Sequence, residues 1–480
     1  MDLRAITPEL MLAVLGLGLL VIELVTRPGE KHVLAWVGIL GLLLALVPSV
    51  GLLATGPRLV FAQTYAVDPF AAFFKVIAIL GGILVLGASM EFFQASPSRH
   101  EGDVYCLIVF LVLGLVLMAA AADLILLFLA IEFVSLVSYA LAGSLKTDRR
   151  SNEAGVKYFL FGAVASALML YGFTYLYGAS GTTNLYRLAA EVARAPGALQ
   201  VLAAGLVLAG LGFKVSLVPF HQWTPDVYEG APTPITAFLS VGSKAAGFAV
   251  LLRVLYVALP SGVWVVLLAV LAALSMSVGN LVALAQQNIK RMLAYSSIAH
   301  AGYMLIGVVA LQTSPSPLGS GIGAVLYYLL AYTFTNLGAF AVAIVVERHL
   351  RSDAIPDYGG LSQRAPFTAL AMAVFMLSLT GVPPTALFVG KLFLFASAIH
   401  SGLLWLAVVG ILNSVISLYY YVGVIRAMYL QPAPEGARPV RESFLARLVL
   451  GVTLAGTLAL GVYPEPFLRL SQSASVFFRL

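Results

Sequence analysis

Apolar residues run through this chain in blocks of about twenty, separated by short links rich in Pro, Gly and charged residues. Each block is long enough to cross about 30 Å of hydrocarbon as a helix. The short alternating segments of a membrane β-barrel are not seen, and lipid leaves backbone groups no other way to pair. The blocks predict an all-α integral membrane protein of about 14 spans. They lie near 6–26, 33–54, 68–91, 104–121, 123–145, 153–178, 199–220, 232–258, 262–286, 293–311, 320–346, 366–398, 401–430 and 444–463, with no room for a soluble domain between them. The first block is too long for a signal-peptide core and ends in Glu23-Leu-Val-Thr-Arg27 with no small-residue cleavage site, so it reads as a retained span.

Two blocks are interrupted in a similar way. The seventh carries Gly212-Phe-Lys-Val-Ser-Leu-Val-Pro219, and the twelfth carries Leu379-Thr-Gly-Val-Pro-Pro384. Proline removes a helix hydrogen bond and clashes with the preceding turn, so each span should break or kink. Five spans separate them, so the breaks run in opposite senses across the membrane. That is the pattern of inverted repeats in transporters; ordinary membrane-helix kinks are the plainer alternative.

Composition agrees with the pattern. Hydrophobic residues make up 61% of the 480 and charged residues 10%, against about 25% charged in soluble domains. The net charge of +6 comes from Lys and Arg scattered in links, which reads as topology and not as nucleic-acid binding. Links after odd-numbered spans hold Arg27, Lys31, Arg99, Lys146, Arg149, Arg150, Lys290, Arg291, Arg348, Arg351, Arg364, Arg438 and Arg441. The other face holds Arg4, Arg58, Arg187, Arg194, Arg469 and Arg479. The richer face is expected in the cytoplasm, which puts both termini outside. The single cysteine, Cys106, cannot form an internal disulfide or hold an iron–sulfur cluster and reads as packing.

Against this background, charges at bilayer depth stand out, because each costs about 2.5–3.5 kcal/mol to insert. Glu132 lies nine residues past Asp123, about 13.5 Å down a helix. Lys214 precedes the Pro219 break by about one turn, Lys244 is near the middle of the eighth span, and Lys391 follows the Pro383-Pro384 break by about two turns. Burial favours the neutral form of a lysine and the protonated form of a glutamate, and an opposite charge nearby restores ionisation. Three lysines and one glutamate therefore suit a proton relay better than a sodium site, which would need several oxygens. Snorkelling is the alternative for each lysine, and a structural ion pair the alternative for Glu132. His300, beside Ser296 and Ser297, is either a packing residue or part of a water wire. Lys75 and Arg253 read as interfacial or paired, and Glu153 with Lys157 as an ion pair at a helix start.

The stretch Asp226-Val-Tyr-Glu-Gly-Ala-Pro-Thr-Pro234, followed by Ser240-Val-Gly-Ser-Lys244, resembles the signature of the antiporter-like membrane subunits of respiratory complex I. Asn288-Ile-Lys-Arg-Met-Leu-Ala-Tyr-Ser-Ser-Ile-Ala-His-Ala-Gly-Tyr303 is a second match, and the likeness extends over nearly the whole chain. It implies two inverted five-helix repeats, 104–258 and 259–430, after three helices in 1–103 and before one in 431–480. It implies that Glu132 pairs with Lys214, that Lys244 is the central lysine, that Lys391 is the terminal group and that His300 links the last two. Lysine at 391 is the pattern of one branch of the family; a second branch carries glutamate there, and a third has a longer C-terminus with a lateral helix. The resemblance implies proton transport driven by NADH oxidation and quinone reduction in partner subunits, which hold the FMN and iron–sulfur clusters, with no cofactor in this chain. The chain shows no nucleotide-binding glycine loop, metal-ligand cluster or nucleophile–base motif. A subunit of a multisubunit sodium/proton antiporter is the alternative, and a module whose charges only clamp helices is a third reading.

Overall fold

The computed structural model describes all residues except 1–2, 28, 96–99, 311–319, 434–439, 441 and 477–480. Arg99, Arg438, Arg441 and Arg479, used above for orientation, lie outside the described residues. The helices are α1 (Thr7–Val25), α2 (His32–Gly51), α3 (Pro69–Ala95), α4 (Glu101–Ala120), α5 (Leu124–Ala142), α6 (Arg149–Ser180), α7 (Leu185–Val192) and α8 (Gly197–Val215). They continue as α9 (Trp223–Gly230), α10 (Thr233–Phe238), α11 (Lys244–Ala258), α12 (Ser261–Ala283), α13 (Ile289–Val309), α14 (Gly321–Leu350) and α15 (Leu361–Arg364). The last are α16 (Pro366–Thr380), α17 (Ala386–His400), α18 (Leu404–Leu430), α19 (Phe444–Val462) and α20 (Glu465–Ala474). Thirteen segments among the described residues are long and apolar enough to cross a membrane, counting Thr233–Ala258 as one. The shorter pair α16 and α17 supplies the broken twelfth span, so the expected fourteen are present. Strands β1 (Arg58–Val60) and β2 (Tyr65–Val67) form a hairpin between α2 and α3 that hydropathy did not reveal.

Burial sorts the helices into a centre and a rim. Within an apolar eighteen-residue stretch of each span, buried positions make up 94–100% in Thr233–Ala258, α13 and α14 but only 28–33% in α1, α2, α6, α18 and α19. Apolar side chains on the rim, such as Val14, Leu160 and Val415, face outward, as a lipid-facing surface requires. The central helices carry buried polar residues such as Ser240, Lys244, Ser297, His300 and Asn336, where protein groups can answer them.

Both predicted breaks are true interruptions, built alike. At the end of α8, Ser216 turns left-handed at φ 62°. Its N–H donates to the Phe213 carbonyl at 3.1 Å, and the Leu217 N–H donates to Gly212 at 2.8 Å. At the end of α16, Gly381 does the same at φ 91°, with its N–H on Ser378 at 2.9 Å and the Val382 N–H on Leu377 at 3.0 Å. Each is a Schellman stop, and each is followed, three residues past the left-handed position, by a proline (Pro219 and Pro384) with a cis bond. Helix starts match as well. Asp123 caps α5 and bridges to Asn184, while Asn288 caps α13 and bridges to Ala354.

Several charges outside the main row are paired. Arg253 forms a two-pronged contact with Asp68 at 2.8 and 3.0 Å, both fully buried, and also donates to the Tyr186 hydroxyl at 2.6 Å. Lys75 pairs with Glu9 at 2.8 Å. Lys157 meets Glu153 at 2.8 Å and Asp226 at 2.6 Å. Cys106 is free and buried.

Candidate functional site

Glu132 and Lys214 open the row, but not as a direct pair. No ionic contact within 4 Å joins them. Half-buried Glu132 accepts a hydrogen bond from Ser166 of α6, and the Lys214 amine donates to Ser135 at 3.2 Å. Ser135 sits one turn beyond Glu132 on α5, so each charge is held by a serine and the carboxylate's field still reaches the amine. The difference arises because Lys214 occupies the last turn of α8, where the Schellman stop fixes its direction. Gly247 then lets α11 close on this turn: a Cβ there would meet Val215 at 2.6 Å and the Lys214 side chain at 3.4 Å. That contact brings the helix carrying Lys244 against Lys214.

Lys244 follows a turn of π-helix, Leu239–Ser243, in the otherwise α-helical eighth span. Such a widened turn is rare and often marks a functional position. The Lys244 side chain is buried, and its amine donates to both the backbone carbonyl of Ser297, at 2.6 Å, and the Ser297 hydroxyl.

Helix α13 carries the line onward. Ser297, His300 and Tyr303 are spaced by three residues and share one face. His300 is buried with both ring nitrogens engaged, Nδ1 with the Tyr328 hydroxyl at 2.7 Å and Nε2 with the Tyr421 hydroxyl at 3.2 Å. Tyr421 also bonds Ser296. The His300 and Tyr303 rings meet edge to face at 5.7 Å between centroids, and the Lys391 amine lies 4.6 Å over the Tyr303 ring, a cation–π arrangement.

Lys391 starts from α17 and reaches back across the break. Its amine donates to the carbonyls of Thr380 at 2.7 Å and Leu379 at 3.2 Å, the last carbonyls of α16, where the helix dipole favours a cation. Gly381 is required twice over. It holds a positive φ, and a Cβ there would press the Lys391 chain at 2.9 Å.

The sequence-predicted residues therefore form one ordered row. Of the serines beside His300, Ser297 holds Lys244 directly. Ser135, Ser166, Tyr303, Tyr328 and Tyr421 were missed. Helical spacing could have found Ser135 from Glu132 and Tyr303 from His300, whereas Ser166, Tyr328 and Tyr421 come from other helices and leave no local signal. At one end of the bundle, Asp226 joins Lys157 and Arg291, the latter at 2.8 Å. Partial burial raises the proton affinity of Asp226, but hydrogen bonds from Lys157 and Arg291 outweigh it and hold the carboxyl below its ordinary range.

Residues 121–417 match the family described as NADH:quinone oxidoreductase/Mrp antiporter, transmembrane. A relative from Trichlorobacter lovleyi, named NADH-quinone oxidoreductase subunit N, is 44% identical over 98% of this chain and 97% of its own length. A chain of respiratory complex I from Thermus thermophilus superposes with a TM-score of 0.83 at 36% identity, covering 97% of this chain and 100% of that one. A chain of the Mrp complex from Dietzia sp. shares the fold, with a TM-score of 0.84 at 22% identity over 99% of this chain and 97% of that one. The chain is thus a member of the transmembrane family of NADH:quinone oxidoreductases and Mrp antiporters and, within it, of the NADH-quinone oxidoreductase subunit N family.

Proposed function

We propose that this chain is a proton-translocating membrane subunit of NADH–quinone oxidoreductase. The observation that carries this reading is the continuous polar line on α13, where Ser297 holds Lys244, His300 lies between two tyrosine hydroxyls, and Tyr303 lies under Lys391. An amine, an imidazole and hydroxyls in sequence can take and give protons, with water spanning the gaps. Glu132 and Lys214 are the input. A perturbation from partner subunits that changes the charge of either alters the field at the other, and then the proton affinities of Lys244 and Lys391.

We assign NADH, FMN, the iron–sulfur clusters and quinone to partner subunits. These belong to complex I, including the neighbouring antiporter-like and small membrane subunits. Residues 104–258 and 259–430 are read as inverted repeats, flanked by 1–103 and 431–480. The matched caps, bridges, Schellman stops and prolines support this division. The membrane is the bacterial plasma membrane, with the basic links in the cytoplasm and both termini outside.

The test is Lys244→Ala in the assembled complex, reconstituted in vesicles. Proton uptake coupled to quinone reduction should be lost, and full pumping would overturn the reading. A sodium/proton antiporter subunit has the fold likeness behind it. Co-purification with flavin and iron–sulfur subunits separates the two.

A further inference from the structure

A cavity of about 710 Å³ lies among the ends of α9, α13 and α14, lined in part by Glu229, Lys290, Glu347, Arg348 and Asp353. Buried Lys290 and half-buried Glu347 are among the groups that line it. Lys290 donates to the Ala231 carbonyl at 2.9 Å and lies 3.9 Å from Asp353. Glu347 reaches across from α14 and accepts from the Thr233 hydroxyl at 2.5 Å. Lys290, Asp353 and Asp148 are the charged groups whose fields reach it. Nothing in the row from Glu132 to Lys391 uses these residues.

Thr233 is the first residue of α10, and α10 leads through the π turn to Lys244. Polar side chains recur along that span at Thr233, Thr236, Ser240 and Ser243, the spacing of a single helix face. Every residue between Thr233 and Lys244 is buried. The distance from Thr233 to Lys244 along the axis is about 16 Å. Partway along, the Asn336 amide donates to Ser240 at 2.7 Å.

The far end of this strip is rich in buried hydroxyls. Those of Tyr158, Tyr228, Ser243 and Tyr332 make only loose contacts with neighbouring serine and tyrosine hydroxyls and no well-formed hydrogen bond among the described residues, and the Asn336 carbonyl oxygen has no partner there. The hydroxyls of Tyr228 and Tyr332 lie beside Ser297, which holds Lys244, and that of Tyr158 lies beside Ser243. Buried polar atoms are seldom left unanswered, and water is the usual partner where protein offers none. A buried cluster of loosely held hydroxyls beside one lysine is the setting in which bridging water is favourable.

We propose that Glu347 is the loading carboxylate through which protons pass from this cavity to Lys244, with the strip from Thr233 to Ser243 and its waters as the conductor. This rests on the function proposed above. Glu347 takes a proton from cavity water on the oxygen that Thr233 does not occupy and gives it to the hydroxyl–water chain. A proton from the inner end of that chain goes to the neutral Lys244 amine, and Glu347 is left ionised for the next one. No electron moves and no covalent bond other than O–H and N–H is made or broken. Lys290 is a positioning residue, tied to the carbonyl that precedes α10.

The experiment uses the assembled complex in vesicles, comparing Glu347→Gln, Glu347→Asp and Lys244→Ala for quinone reduction and proton uptake. A positioned proton donor contributes about 100-fold or more where nothing replaces it, and cavity water replaces part of this, so Glu347→Gln should slow coupled turnover about tenfold. Glu347→Asp should restore most of it, which a purely structural clamp on Thr233 would not predict for the shorter side chain. If Glu347→Gln fails to assemble, Thr233→Val and Ser243→Ala decide instead, each expected to slow coupled turnover several-fold. Wild-type turnover and pumping in Glu347→Gln, or in both strip variants, overturn the proposal. If Lys244→Ala abolishes pumping while Glu347→Gln pumps normally, only the loading role fails. If Lys244→Ala itself pumps normally, the underlying function fails.

Discussion

The two halves of the molecule share a frame and fill it with different chemistry. Counting from the capping residue of α5, Asp123, the ninth and twelfth positions are Glu132 and Ser135; counting from Asn288 on α13, they are Ser297 and His300. The first half thus places a carboxylate where the second places a hydroxyl. Its lysine stands two residues before the left-handed turn, on the helix that ends there, and donates to a serine. The second half puts its lysine on the helix that begins after the turn, and the amine reaches back onto carbonyls. One half holds separated opposite charges whose balance a neighbour can tip. The other holds a single amine on neutral dipoles, a setting suited to passing a proton along without trapping it. The difference teaches that matched caps and turns in the backbone need not carry matched side-chain chemistry.

The largest expected effect comes from erasing that difference. Ser297→Glu would place a carboxylate in the second half against the Lys244 amine. An ion pair at contact is worth about 4 kcal/mol at an effective dielectric of 20, so Lys244 should hold its proton and coupled turnover should fall by about 100-fold or more. Turnover near wild type in the intact complex would show that Lys244 need not release a proton. Glu132→Gln acts from the other side, removing the only carboxylate of the row. Because no ion pair at contact joins it to Lys214, the loss should be smaller, about tenfold in pumping-linked quinone reduction, or roughly 1.4 kcal/mol. If assembly suffers and the pumping stoichiometry of surviving complexes is unchanged, Glu132 is a structural clamp instead.

Smaller still is Tyr328→Phe, which removes one of two hydroxyls on His300. The link should weaken a few-fold, with Tyr421 keeping the ring in place, and a proton-to-electron ratio equal to wild type at full speed would count against the His300 connection. The smallest effect concerns the turns themselves. Ser216 bears a left-handed backbone that glycine adopts freely, so Ser216→Gly should raise stability in a thermal-melt assay by about 1 kcal/mol or less. Gly381→Ala should do the reverse and also disturb Lys391. Equal responses at the two turns would mean that the side chain packed on Gly381 is unimportant.

Much of this was legible in the sequence, for definite reasons. Spans are visible because lipid demands long apolar runs, and both breaks because Pro219 and Pro384 cannot continue a helix. The four charges are visible because each is costly at that depth. What stayed hidden depends on contacts between distant segments. Arg253 and Asp68 are 185 residues apart, and nothing local marks them as a pair. The π turn before Lys244 leaves no trace in hydropathy, since five residues of π-helix look like five of α-helix. The β hairpin and the short helices α7 and α20 are too brief to register. The hydrogen bonds that Ser166 gives Glu132 and Ser135 takes from Lys214 are details of a few ångströms that only coordinates supply.

The grip of Lys391 on the end of α16 has a consequence for how its charge state could be watched. An ammonium has three N–H groups, and two are committed to the Thr380 and Leu379 carbonyls. A neutral amine has two N–H groups and a lone pair, and the lone pair repels any carbonyl it faces. Each time this nitrogen gives up its proton, the final carbonyls of α16 exchange a charged donor for a weaker one. Their stretching vibrations should then move to higher frequency in step with turnover. Isotope labelling of the Thr380 carbonyl carbon would make a helix end into a spectroscopic reporter of a single proton.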